Sequence, residues 1–317
     1  MGRKSISTPI EEREICKLYP TTKTKDLVIM YGFKFSARQI RHIADKHNVR
    51  KSGREVERHV CDSPNELRLK QSDINSLICR AGGTENKYGT TLINNYFEKI
   101  DNDEKAYWLG FLYADGYIYE RKQKSGGYTR HFELGLATED VEHIHKFRYC
   151  IGSNKKVKEK LVKFNGNTYS SHKLVIYGNE FVNHLMDKGV VPRKSLILTY
   201  PDRSILPEKF DSSFIRGYFD GDGCIYGNHE QYSYNFNMVG TYQFLTKANQ
   251  ILNKNIGVNL VTPQKKGRAY SIHFAGYENL VKLYEFLYRG STVSLNRKRN
   301  HFQKIINTKR YVNAQPS

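Results

Sequence analysis

Trp108-Leu109-Gly110-Phe111-Leu112-Tyr113-Ala114-Asp115-Gly116 and Ile215-Arg216-Gly217-Tyr218-Phe219-Asp220-Gly221-Asp222-Gly223 carry one pattern twice. Each is an apolar run with Gly-x-x-x-(Ala/Gly)-Asp-Gly, and each continues into x-Ile-Tyr, at Ile118-Tyr119 and Ile225-Tyr226. A repeat that keeps one acid at the end of an apolar helix predicts a pseudo-twofold molecule with a carboxylate from each half at the axis. Gly110 with Ala114, and Gly217 with Gly221, are four residues apart and share a helix face, so two backbones can approach closely there. The two helices are therefore expected to form the seam between the halves. Asp115 and Asp222 fall at the C-terminal helix ends, before glycines suited to a left-handed cap. A carboxylate at the negative end of a helix dipole costs on the order of 0.3–1 kcal/mol. Two such groups together cost more unless a cation lies between them. A hard divalent ion that takes carboxylate, carbonyl and water oxygens fits this demand, Mg2+ above all. An EF-hand does not explain Asp220-Gly221-Asp222-Gly223, because its sixth position is Ile225 and its twelfth Gln231.

The chain has 317 residues, enough for two or three domains, and a formal net charge of +19 from 51 Lys+Arg against 32 Asp+Glu. Such an excess points to a polyanionic partner, nucleic acid first, because neutralising phosphates is its main use. A membrane partner is disfavoured: no stretch approaches 18 apolar residues, and the start Met1-Gly2-Arg3-Lys4-Ser5-Ile6-Ser7 has no apolar run behind it. An intracellular protein, in cytoplasm or nucleoid, is expected. Five scattered cysteines (Cys16, Cys61, Cys79, Cys150, Cys224) contain no Cys-x-x-Cys and read as free thiols. His143 and His145 are two apart on an expected helix and cannot face one ligand together.

Four segments follow from periodicity and breakers. Residues 1–52 read as a small all-α domain: a Pro9-started helix to Leu18, a second from Lys23 to Tyr31, a turn through Gly32, and a third from Ser36 to Lys46 with Ser36 as N-cap. That spacing is the one a helix-turn-helix uses, with an ordinary three-helix bundle carrying a solvated charged face as the alternative; the basic excess of the chain favours DNA. In the third helix Ile40, Ile43, Ala44 and His47 are expected inward, with Arg38, Arg41, Asp45 and Lys46 outward and Arg50, Lys51 and Arg54 extending the basic face. Residues 53–100 read as a linker with one short helix near Gln71 to Arg80. Residues 101–200 and 201–317 then repeat the order α-β-β-α-β-β-α, separated by a segment holding Pro192, Pro201 and Pro207. From Phe286 onward seven basic residues and no acidic one form an expected basic tail.

The two motifs and the order of elements around them resemble the LAGLIDADG homing endonucleases, over about Asp103 to Tyr311. The resemblance implies an α+β fold of two pseudo-symmetric halves whose sheets form a saddle over double-stranded DNA. It also implies Mg2+-dependent cutting of both strands across the minor groove, leaving 3′ overhangs. On this resemblance Asp115 and Asp222 are the metal-binding catalytic acids, while Gly110, Ala114, Gly217 and Gly221 belong to the helix interface. Lys194 and Lys298, each just after the last helix of a half, are the candidate basic groups beside the scissile phosphates. Arg121, Lys122, Lys124, Arg130, Lys173, Lys265, Lys266 and Arg268 are expected along the major groove, with Tyr117, Tyr119, Tyr226, Tyr232 and Tyr234 on the same surface. Arg38, Arg41 and Lys46 are the expected DNA contacts of the helical arm. Tyr113 stands where the second motif has Asp220, and Trp108 and Arg216 imply a less symmetric seam. With both halves in one chain, a monomer is expected. Two other activities share this resemblance: a non-cleaving DNA-binding transcription regulator, and an intron RNA maturase with RNA as partner.

Overall fold

Residues Ala106 to Tyr113 are buried on every side, which is what a helix apolar all round requires. This helix belongs to the second of two units, Met1–Lys70 and Gln71–Ser317, in a computed structural model that describes residues 9–20, 24, 27–28, 31, 35–49, 84–85, 90–164, 167–228 and 233–313.

In the first unit, α1 (Pro9–Leu18) and α2 (Ala37–Lys46) enclose a small core of Ile15, Leu27, Phe35, Ile40, Ile43 and Ala44. Ser36 caps α2 as expected: its side chain accepts from Gln39 N, and the Gln39 side chain accepts from Ser36 N at 2.8 Å. Thr24, Leu27 and Val28 are helical and buried, and Tyr31 N donates to Leu27 O at 3.0 Å, while the other residues of the expected second helix, and Arg50, Lys51 and Arg54, lie outside the described residues.

The second unit opens with a short hairpin, β1 (Thr84–Glu85) and β2 (Thr91–Leu92). Leu92, Ile93, Tyr96, Phe97 and Ile100 are buried in the main core, so the end of the stretch read as a linker is packed structure. Its apolar residues are few and interleaved with polar ones, and their partners are distant in sequence, among them Phe147 and Phe181 against Phe97.

The first half then runs α3 (Asp103–Asp115), β3 (Gly116–Lys122), β4 (Tyr128–Ala137), α4 (Val141–Cys150), β5 (Lys158–Phe164), β6 (Asn167–Ile176) and α5 (Asn179–Asp187). The second runs α6 (Asp211–Asp222), β7 (Gly223–Asn228), β8 (Ser233–Gly240), α7 (Tyr242–Ile256), β9 (Gln264–Lys266), β10 (Ala269–Ala275) and α8 (Tyr277–Tyr288). Each half contains one antiparallel sheet of four strands, in the orders β3-β4-β6-β5 and β7-β8-β10-β9. Alternation sets the faces: Ile118, Phe132, Leu134, Leu174 and Ile176 point into the core of one half, and Ile225, Phe236, Met238, Ile272 and Phe274 into that of the other. This is the mixed α/β, two-half fold that the repeat implied.

The expected basic tail is instead a helix, α9 (Asn296–Asn313). Phe302, Ile305 and Ile306 bury one stripe of it, with Phe302 against the rings of Phe219, Phe236 and Tyr284. The apolar residues recur at helical spacing, but basic residues around them mask the stripe. Cys16, Cys150 and Cys224 are free thiols. No described helix is long and apolar enough to cross a membrane.

Candidate active site at the paired helix ends

Helices α3 and α6 meet through the two motif glycines reciprocally. A Cβ on Gly110 would overlap the carbonyl oxygen of Phe214, and one on Gly217 would overlap that of Tyr107. Gly221 faces Ala114 in the same way, and a Cβ there would also lie 2.9 Å from Asp115 Oδ2. The seam therefore carries the ends of both helices, and with them Asp115 and Asp222, to one place.

The glycines that follow the acids are not left-handed caps. Gly116 has φ −69° and ψ 139°, and Gly223 has φ −93° and ψ 160°, so each helix turns straight into an extended strand. Glycine is needed there for room: a Cβ on Gly116 would sit 2.6 Å from the Leu112 carbonyl oxygen, and one on Gly223 would sit 2.5 Å from that of Phe219.

Among the described residues neither Asp115 nor Asp222 has a hydrogen-bond or ion-pair partner for its carboxylate. Burial, then the neighbouring charge of Asp222, pushes the Asp115 carboxyl up to about 6; Lys298 and Lys194 pull it back. Asp222 is raised as well, by the protein packed around it, with Lys194 and Lys298 opposing. Its side chain reaches water at the surface, so the push on it is the smaller of the two.

Lys194 and Lys298 are both buried at this place, which the sequence could not show. Lys194 Nζ donates to Ala114 O at 3.0 Å, at the end of α3. Lys298 Nζ donates to Phe219 O at 2.8 Å, Gly221 O at 3.2 Å and Gly223 O at 2.6 Å, at the end of α6. Each ammonium thus caps the negative end of a motif helix. They are not equivalent: among the described residues Lys298 Nζ meets three acceptors, which uses all its N–H groups, whereas Lys194 Nζ meets one. Burial lowers both ammonium groups below the usual lysine range; Asp222 and then Asp115 raise Lys194 back, and Asp220 and then Asp115 raise Lys298.

Asp220 has a different task from its neighbour Asp222. It is buried, with Oδ2 accepting from Tyr107 OH at 2.7 Å and Leu295 N at 2.7 Å, and Oδ1 accepting from Tyr288 OH at 2.5 Å. One carboxylate therefore ties α3, α6, α8 and the lead into α9 together. Arg297 adds a second tie across the halves, its guanidinium meeting Asp140 at 3.0 and 2.7 Å, and Lys146 Nζ reaches Asn296 Oδ1 at 3.1 Å. Arg216 lies under this arrangement, donating to Val293 O and Leu287 O and facing the Tyr107 ring at 5.2 Å. No local sequence signal marks these polar ties: Asp220 stands where the first motif has Tyr113.

The expected DNA contacts divide by strand phase. Arg121, Lys173 and Lys266 project from the open faces of their sheets, whereas Lys122, Arg130 and Lys265 have the opposite phase. Arg130 Nε pairs with Glu120 at 2.6 Å, and Lys173 Nζ with Glu133 at 2.5 Å, so neither is an unengaged cation. Lys124 and Arg268 lie in hairpin turns and are exposed. Tyr117, Tyr119 and Tyr226 are exposed, Tyr234 is buried on the core side, and Tyr232 lies outside the described residues. In the helical arm Arg38 is exposed and Arg41 half-buried. Lys46 is held by Glu12 at 2.9 Å, and His47, expected inward, is exposed and bonded to the same carboxylate.

Two mirrored halves meeting at paired helices, with an acid and a lysine at each helix end, define the site. No protein-family model and no curated protein sequence matches the chain. Solved structures to which it is similar are LAGLIDADG homing endonucleases. One is the meganuclease I-AabMI bound to uncleaved DNA, at 11% identity and TM-score 0.44, over 67% of this chain and 92% of that one. Another is I-SmaMI bound to an uncleaved DNA target in the presence of calcium ions, at 14% and 0.47, over 67% and 92%. A third is I-SmaMI bound to cleaved DNA, at 13% and 0.45, over 68% and 92%.

Proposed function

We propose that this protein is a site-specific double-strand DNA endonuclease that depends on a divalent metal, Mg2+ by the chemistry of its donors. The observation that carries the reading is the pair of unpartnered carboxylates, Asp115 and Asp222, held together by the seam although each raises the other's energy. Binding alone has no use for two acids beside phosphates. Among the described residues no group of three or more His, Cys, Asp or Glu converges. The protein would thus give two hard oxygen ligands, with water and phosphate oxygens completing the shell, as suits an ion that keeps its waters. When bound there, the metal would supply Lewis-acid polarisation of the phosphate and a water of lowered pKa.

The chain's own residues have separate parts in this reading. Asp115 and Asp222 serve as ligands only when ionised, and Lys194 and Lys298 keep positive charge beside them, which favours the ionised forms. Lys194, which meets one acceptor among the described residues, is the ammonium free to donate to a phosphate oxygen as charge develops on it. Lys298 fixes the end of α6 and acts on the phosphate through its charge. Asp220 and Arg297 hold the halves in register and so keep the two acids apposed. The net charge of +19 would draw the duplex in and make binding dependent on salt.

The test uses supercoiled DNA carrying the sequence that flanks the gene, joined without it. Linear product with Mg2+, none with EDTA, and none from Asp115→Asn or Asp222→Asn is the expected result. Tight duplex binding without cutting under any metal would replace the nuclease with the regulator. Binding confined to structured RNA would leave the maturase.

A further inference from the structure

The open faces of the two sheets differ in chemistry although their backbones repeat. On the first, Arg121, Lys158, Lys160 and Lys173 project from the face opposite the core, with Glu133 as the acid among them. Lys158 pairs with Lys173 and Lys160 with Ser171 across neighbouring strands, and Lys158 and Lys160 are exposed. On the second, the equivalent face carries Asn235, Asn237, Gln264, Ser271 and His273, and Lys266 at its edge is the charged residue among those described. The amides are held in place: Asn237 Nδ2 lies 2.9 Å from the His273 ring nitrogens, Ser271 Oγ lies 3.1 Å from His273 Nε2, and Asn235 Nδ2 donates to Ser233 Oγ at 3.2 Å.

We infer that the two sheets read the duplex differently, the first gripping phosphates through lysine and arginine, the second reading adenine-containing steps through preorganised amides. Ammonium groups neutralise phosphates and add salt dependence without much sequence information. Asn and Gln instead form paired hydrogen bonds with the major-groove edge of adenine and release no counterions. The target would then be asymmetric, with one half an electrostatic anchor and the other the main source of sequence discrimination. The inference rests on the duplex-binding part of the proposed function and not on cutting.

The experiment is selection of bound duplexes from a randomised pool, followed by affinity measurement over a salt series. For Asn235→Ala/Asn237→Ala, preference is expected to fall about 10-fold per contacted base on one side of the axis only, with the salt slope unchanged. For Lys158→Ala/Lys160→Ala, affinity is expected to fall evenly over sequences and the slope of log K against log salt to flatten by about 1–2, at roughly 0.9 per phosphate contact. Asn237→Arg, on an exposed strand face, should move one position from adenine to guanine. Unchanged preference in both asparagine variants, or one-sided loss of preference with an unchanged slope in the lysine variant, overturns the inference even if the protein cuts DNA. The pattern as expected without cutting would sustain it while removing the nuclease; absence of any duplex binding would remove both.

Discussion

Asp115 is a carboxyl held near pKa 6 against an ordinary 3.8 by burial and by Asp222. Because the folded-state value is the higher one, ionising Asp115 opposes folding. Without metal, the Asp115 contribution to stability is greatest below about pH 4, falls as pH rises to about 6, and stays at the lower level above it. Asp115→Asn should therefore raise the unfolding free energy at pH 7 by about 1–2 kcal/mol while abolishing cutting. Urea denaturation of both proteins at pH 4.5 and 7 measures it, and a variant no more stable at pH 7 would contradict the electrostatic account. Cutting should weaken below about pH 6, as the ligand becomes protonated. The two lysines separate by the same reasoning. Lys298→Met takes one donor from each of three carbonyls at the end of α6, of which Phe219 O keeps the Gly223 amide, and is expected to cost about 2–4 kcal/mol of stability. Lys194→Met deprives only Ala114 O and should cost about 1 kcal/mol, yet slow cutting about 100-fold. Denaturation midpoints beside single-turnover rates resolve the pair.

At the scale of elements, the α3–α6 seam has no room at its glycines. Gly217→Ala must displace the Tyr107 carbonyl, so either the helices separate or the variant unfolds, at a cost of about 3 kcal/mol or more. Thermal melts check this, and a melting temperature within a degree or two of the parent would mean that the helices are not so closely packed. Asp220→Ala orphans two buried tyrosine hydroxyls and the Leu295 amide, and about 3–5 kcal/mol is expected to be lost. The ends of α3 and α6 are the positions most sensitive to either change, because the acids and lysines sit there. Helix α9 belongs to the same account. It starts beside the seam, with Arg297 on Asp140 and Lys298 on the end of α6, and continues as a packed stripe against the second sheet's core.

For the molecule as a whole, charge is the dominant property. With +19 on the chain, duplex affinity is expected to fall steeply with salt, by about a thousandfold or more between 50 and 200 mM if six or more phosphates are contacted. Fluorescence anisotropy over that range measures it, and a nearly flat dependence would mean that the basic surface does not meet the backbone. The duplicated core explains how one chain presents two open sheet faces, since helices cover the opposite face of each sheet in the same way.

The repeated motif, read alone, determined two halves, a glycine seam and two acids at helix ends, and periodicity with turn residues added the α-β-β-α-β-β-α order. It could do so because close backbone approach demands small residues at fixed spacing, and an apolar helix buried all round leaves a continuous signal. Local capping was legible at Ser36 but not at Gly116 and Gly223, where glycine serves close packing and the backbone is extended. What depended on distant contacts was not. Nothing local marks Lys194 and Lys298 as buried until the helix ends they cap are in place, Asp220 is only the counterpart of Tyr113 until Tyr107, Tyr288 and Leu295 close around it, and residues 92–100 look like linker until Phe97 meets Phe147 and Phe181. Composition listed the basic residues, but only strand pairing sorted them into two faces, because a period of two sends neighbouring lysines to opposite sides of a sheet.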